Sequence, residues 1–222
     1  MESRIQYAQT TDGVSIAYWT LGEGMPLVYT PMLSSHCEME WQDPELRSFY
    51  EQLAKGRMLV RYDGRGTGLS EREATDFSLD ARMLDLEAVV EQLGLGRFDV
   101  FAQVTAGPVA IAYAARRPER VSHLLLWCSH ARGSDILQTP QGQAIFGLVD
   151  KDWVLYTETM AHATLGWSGG ELAHRFAAMM RESTTPEVVK AAIRAFLDVD
   201  VTGLLPLVRS PTLVLDRRDG GG

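Results

Sequence analysis

The sequence predicts an α/β fold, a mostly parallel sheet wound with helices on both faces. Three observations carry this expectation. Short apolar runs alternate with helical patterns along the first 133 residues. The runs are continuous rather than alternating, as in strands covered on both sides. The length of 222 residues, 45% hydrophobic and 23% charged, suffices for one packed core.

The elements follow in order. Residues 5–20 read as a hairpin in which Ile5–Ala8 and Val14–Trp19 flank an Asp12-Gly13 turn, giving two antiparallel edge strands. Leu27–Thr30, Met58–Tyr62, Val100–Val104, Val121–Cys128 and Thr212–Leu215 read as buried strands. Leu79, Met83, Leu86, Val90 and Leu93 form one stripe of a helix whose other faces carry Asp80, Asp85, Glu87 and Glu91. Ser78 caps its start and Gly94 its end. A second helix, from about Pro108 to Arg117, is rich in Ala and is stopped by Pro118. From about Ser134 to Ser210 the rhythm breaks into three helical patterns, Trp153–Leu165, Glu171–Arg181 and Glu187–Leu197. Residues 134–210 are therefore expected to form a helical lid inserted over the sheet's carboxyl edge, with 1–133 and 211–222 as the core. The closing Gly220-Gly221-Gly222 cannot pack.

Composition narrows the partners. A formal charge of −8 repels phosphate polyanions, so nucleic acid is not expected. Two cysteines, Cys37 and Cys128, are too few for a disulfide framework and show no zinc-ligand spacing, so neither metal nor cofactor is expected. The N-terminus lacks the basic start and apolar stretch of a signal peptide, and no run approaches a membrane span. A cytoplasmic protein without a membrane partner is expected.

In an open α/β sheet the ligand site lies beyond the carboxyl ends of the strands. The residues to weigh are Pro31–His36, Asp63–Gly68, Val104–Gly107, Ser129–His130 and Asp216–Gly220. The glycine-rich stretch Asp63-Gly64-Arg65-Gly66-Thr67-Gly68 matches neither dinucleotide nor P-loop patterns. It reads as a tight turn, with Gly66 and Gly68 permitting the bend and Arg65 pairing with Asp63.

These residues also resemble a family. Tyr62–Ser70 is similar to the D-x-R-G-x-G-x-S turn of α/β-hydrolases, and Ala110–Val121 resembles the helix and turn that follow their nucleophile elbow. His36–Pro44, the RGTGLS turn and Ala106-Gly107-Pro108 are similar to α/β-hydrolase-like domains joined to bacterial adenylate cyclases and helix-turn-helix regulators. The resemblance runs from about residue 5 to 216 and implies an α/β-hydrolase fold that stops short of the family's last strand and helix.

What the resemblance implies for catalysis fails residue by residue. Family enzymes carry Gly-x-Ser-x-Gly at the elbow, where the next backbone N–H helps form an oxyanion hole. This chain reads Ala102-Gln103-Val104-Thr105-Ala106-Gly107, and an ungapped count back from Pro118-Glu119-Arg120-Val121 places Val104 at the nucleophile position. An isopropyl group cannot attack a carbonyl. The family's acid falls at Gly220 on a strict count, with Asp219 beside it, and no His follows.

Substitutes were weighed. Thr105 is the nearest hydroxyl, but one step along the elbow its side chain is expected to point away from the pocket centre. Ser129 with His130 would form a dyad only if sequence neighbours aimed at each other. His36 with Glu38 and Glu40 offers acid–base or metal chemistry, against a plain packing role. His123 starts a strand, and His162 and His174 lie on the inserted helices. Cys128 reads as a small core residue and Cys37 as more exposed. Trp153, Trp167, Phe176 and Met179-Met180 read as helix-packing surface able to line an apolar pocket.

The expected ligand pocket comprises Pro31, Met32, Leu33, Val104, Thr105 and His130. The sequence points to a small-molecule-binding or sensory module, with a small apolar or carbonyl-bearing ligand and a fused or associated signalling domain. An ester or acyl hydrolase using Thr105 or Ser129 is the rival, and a fragment of a longer hydrolase-like protein is a third reading. Homodimerisation through an open sheet edge stays open.

Overall fold

The structure, a computed structural model, describes residues 4–137, 140–166 and 170–216. Seven strands form one sheet: β1 Gln6–Gln9, β2 Ser15–Leu21, β3 Met25–Thr30, β4 Arg57–Tyr62, β5 Phe98–Gln103, β6 Val121–Trp127 and β7 Thr212–Leu215. Their order is β1-β2-β4-β3-β5-β6-β7. β1 with β2 and β2 with β4 are antiparallel, and every later pairing is parallel. The expected hairpin forms, but β2 is not an edge strand, because its outer side pairs with β4 from Tyr18↔Tyr62 to Leu21↔Leu59.

Alternate strand residues face opposite cores, as the two-residue period requires. Ile16, Tyr18, Val28, Val60, Val100 and Ala102 pack on one side with α3 (Leu79–Gln92) and α4 (Gly107–Arg116). Trp19, Leu27, Tyr29, Leu59 and Phe101 pack on the other with α1 (Cys37–Gln42) and α2 (Pro44–Leu53). Neither α1 nor α2 was read from the sequence. The signal was present: Asp43 precedes Pro44, and its Oδ1 accepts from the Glu45 and Leu46 N–H groups at 2.9 and 3.2 Å.

Four helices follow the sixth strand: α5 Pro140–Phe146, α6 Trp153–Leu165, α7 Gly170–Ser183 and α8 Pro186–Leu197. The last three match the expected patterns closely; α5 was not foreseen. β7 departs from the expected burial, since all four of its residues are exposed, Val214 by 66%. Among the described residues it is the sheet's edge strand.

Candidate functional site

The order of strands reverses direction of growth between β3 and β5, and the crevice at such a switch point is where open α/β sheets bind ligands. β5 ends at Gln103, and the chain turns through one 3-10 turn, Val104–Ala106, into α4. Val104 has φ 47°. A β-branched side chain in the left-handed region is a backbone outlier, costing about 1–2 kcal/mol. Cys128, the residue after β6, has φ 48°. Among the described residues these two alone combine a side chain with positive φ.

Gly107 makes the turn possible from the other side. A Cβ there would lie 2.5 Å from Ser129 Cβ, so the start of α4 approaches the β6 loop too closely for any other residue. The first N–H groups of a helix lack intrahelical partners and carry the positive end of its dipole. The elbow thus delivers the start of α4 to the sheet's carboxyl edge.

Above this edge lies a cavity of about 560 Å³, walled by Met32, Gln103, Val104, Trp127 and Cys128 from the sheet side. Ile136 and residues of α5 and α6, among them Ile145, Phe146, Met160 and Thr164, close it from the helical side. A second chamber of about 90 Å³ shares Met32, Val104, Ile136, Phe146, Met160 and Thr164 and adds Leu33, Thr105, Tyr156, Phe176 and Met180. Val104 thus belongs to both walls. Among the described residues, no Asp, Glu, His, Lys or Arg lines either chamber. Burial pushes the Tyr156 hydroxyl well above its ordinary pKa, so it stays neutral.

Of the residues singled out in the sequence, Met32, Leu33, Val104 and Thr105 line these chambers, whereas Pro31 lines a small neighbouring recess beside Tyr62 and Arg65. Thr105 is among the residues that line the smaller chamber. His130 is absent from the lining, and the Ser129 hydroxyl turns to the carbonyls of Ala102 and Trp127 at 3.4 and 3.3 Å. His36 caps α1, its Nδ1 accepting from the Met39 N–H at 3.3 Å. Glu40 is committed elsewhere, with Oε1 on Arg61 at 2.8 Å and Oε2 on the Tyr50 hydroxyl at 2.6 Å. His123 pairs with Asp99 at 2.8 Å. Asp219 and Trp167 lie outside the described residues.

Two cysteine expectations are corrected. Cys37 is fully buried, and burial pushes its thiol well above the usual range. Cys128 is partly exposed and forms part of the cavity wall. The sequence signal for Cys128 was its place at the carboxyl end of a strand, the same rule that flagged Val104.

The Asp63–Arg65 pairing is also corrected. Arg65 Nε donates to Asp85 Oδ1 at 2.9 Å and its Nη1 to Asp12 Oδ2 at 2.8 Å. Asp63 instead accepts from the Cys37 and Leu69 N–H groups, at 2.9 and 3.0 Å. Asp85 was assigned to a solvent face of its helix but is 2% exposed. The turn requires glycine at position 68, where φ is 54° and a Cβ would meet the Asp63 carboxylate at 2.2 Å.

Metal-ligating side chains converge closely at one place among the described residues, Glu158, His162 and His174. None of the three lines the chambers.

This sheet, with its strained turn between β5 and α4, defines a class that the comparisons name. The family model described as alpha/beta hydrolase fold matches residues 39–203, and the chain belongs to that family. It is 29% identical over 184 residues to the protein named "Putative carbamate hydrolase RutD" of Rhizobium rhizogenes, covering 76% of this chain and 67% of that one. Its namesake in a Caulobacter strain is 28% identical over 174 residues, covering 70% of this chain. The chain spans 60% of the length of that second relative. Among solved structures, an esterase from Exiguobacterium antarcticum superposes with a TM-score of 0.80 at 19% identity, over 94% of this chain and 79% of that one. No helix of the described residues is long and apolar enough to cross a membrane.

Proposed function

We propose that this protein binds a small, largely apolar, carbonyl-bearing molecule without hydrolysing it, as a sensory or regulatory module. The observation that carries the reading is Val104, an isopropyl-bearing residue on the elbow in the left-handed conformation, in the wall of a cavity that no acid or base lines among the described residues. Nucleophilic catalysis needs an attacking group and a base within hydrogen-bond reach. Apolar walls favour an apolar ligand, and the positive end of α4 favours a carbonyl oxygen near the elbow. Helices α5 to α7 act as a lid in this reading, so that binding shifts them and signals to a fused or associated domain. The protein works in the cytoplasm, alone or as a homodimer.

Hydrolysis of a small ester or carbamate is the second reading. It is favoured by the relatives' names and by Thr105, a hydroxyl-bearing residue among those lining the smaller chamber. Titrating a short alkyl ketone while following Trp127 fluorescence tests the proposal, because Trp127 lies in the cavity wall. Saturable change that is lost in Val104→Arg, together with no turnover of chromogenic esters, supports it. Ester turnover lost in Thr105→Ala overturns it.

A further inference from the structure

We propose that Glu158, His162 and His174 form a binding site for a zinc-class divalent transition-metal ion that clasps α6 to α7. Glu158 and His162 stand one turn apart on α6, and their candidate ligand atoms and that of His174 on α7 all lie within 4.8 Å of one another. The two imidazole rings meet at right angles with centroids 5.6 Å apart. Tetrahedral coordination with bonds of about 2.1 Å places donors roughly 3.4 Å apart, so modest side-chain rotation closes the site. Two imidazoles and one carboxylate suit zinc, nickel or copper better than the oxygen-seeking calcium or magnesium.

The surroundings fit a metal ligand set. His174 Nδ1 is already 2.8 Å from Glu158 Oε2, while Arg181 Nη1 holds the other oxygen, Oε1, at 3.0 Å. Arg181 is itself anchored on the Thr157 hydroxyl at 2.7 Å. Such outer hydrogen bonds orient a ligating carboxylate. Arg181 also adds a positive charge, which selects a strongly coordinating ion over a purely electrostatic one.

The helices are positioned for a clasp. Ala161, Ala173 and Ala177 are fully buried between them, and these small side chains let the two backbones approach closely. At about 100° per residue, Glu158 and His162 lie on the side of α6 opposite Met160, Ala163 and Thr164 of the larger cavity's wall, with Leu165 of that wall one turn further along near their own side. An ion there takes no part in chemistry at the elbow; it fixes α6, and with it one wall of the binding cavity. The i, i+4 spacing of Glu158 and His162 was the signal in the sequence, and the third ligand depended on how α7 packs.

The test is zinc titration of chelator-treated protein against a chromogenic competitor, paired with thermal denaturation. One equivalent should bind and raise the Tm. His174→Ala, at a side chain 61% exposed, should weaken binding at least about tenfold and abolish the Tm gain while leaving the metal-free Tm nearly unchanged. Glu158→Gln should weaken binding similarly, and His123→Ala should not. Absence of saturable binding at one equivalent, or binding undiminished in His174→Ala, overturns the proposal.

Discussion

Val104 and Cys128 terminate adjacent parallel strands with nearly equal positive φ values, 47° and 48°, and both line the same cavity. Each stores strain that a glycine would not. Val104→Gly should therefore raise the unfolding free energy by about 1 kcal/mol, measured by urea denaturation, because relief of the left-handed penalty exceeds the loss of a partly exposed isopropyl group. A loss of stability would show that Val104 packing dominates the turn.

Restoring a hydroxyl at the elbow should not restore catalysis. Val104→Ser places an oxygen at the strained turn, but among the described residues no His, Asp or Glu lines either chamber to accept its proton. Ester turnover should stay at the wild-type background in a chromogenic assay. A large gain would reveal a base brought in by motion.

The contact of α4 with the β6 loop predicts a rescue. Gly107→Ala should destabilise by about 1–3 kcal/mol, since the new methyl meets Ser129 Cβ at 2.5 Å and Oγ at 2.8 Å. Ser129→Gly removes both atoms, and the next nearest, Ser129 Cα, lies at an ordinary contact distance of 3.5 Å. The double variant should recover most of the loss, a coupling that denaturation of all four proteins measures directly.

Arg65 bridges the glycine turn to α3 and to the first hairpin, and its loss strands a buried charge. Arg65→Met should cost about 3–5 kcal/mol, because Asp85, 2% exposed, would lose the cation that hydrogen-bonds it and keep only the nearby charge of Arg82. Asp63→Asn should cost less, since an amide oxygen still accepts one of the two backbone N–H bonds now held by the carboxylate.

Asp43 ties the helical segment to the sheet, capping α2 while its Oδ2 accepts from Arg175 Nε of α7 at 2.7 Å. Burial raises its pKa, but Arg175 and the two backbone donors outweigh that and hold the carboxyl below its ordinary value. A depressed folded-state pKa stabilises above the unfolded value and loses that contribution as pH falls through the folded one. Stability should thus decline below about pH 4, and Asp43→Asn, which keeps a cap, should flatten that part of the acid profile. An unchanged slope would show that the Arg175 contact is too solvent-screened to matter.

The fold was legible because its signals are local and repeated. Apolar runs such as Leu124–Trp127 and the Leu79–Leu93 stripe signal strand and helix. The elbow was legible too, since Pro118–Val121 sets a count that ends on Val104. Burial inside polar stretches was not: Asp85 reads as a solvent-facing helix residue until Arg65 arrives from twenty residues away. Cys37 likewise gives no hint of burial, because the α1–α2 pair that covers it lies in a stretch of mixed polarity. Convergence of Glu158 and His162 with His174 required the packing of α6 on α7, which no periodicity encodes.

The central claim is that a hydrolase fold here binds its ligand with no attacking group at the elbow position, which Val104 occupies. Incubation with a fluorophosphonate probe, followed by intact mass and peptide mapping, tests it most directly. The account predicts no stoichiometric adduct under conditions that fully label a serine esterase. A full equivalent of adduct on Thr105 or Ser129, lost in the matching alanine variant, would contradict it.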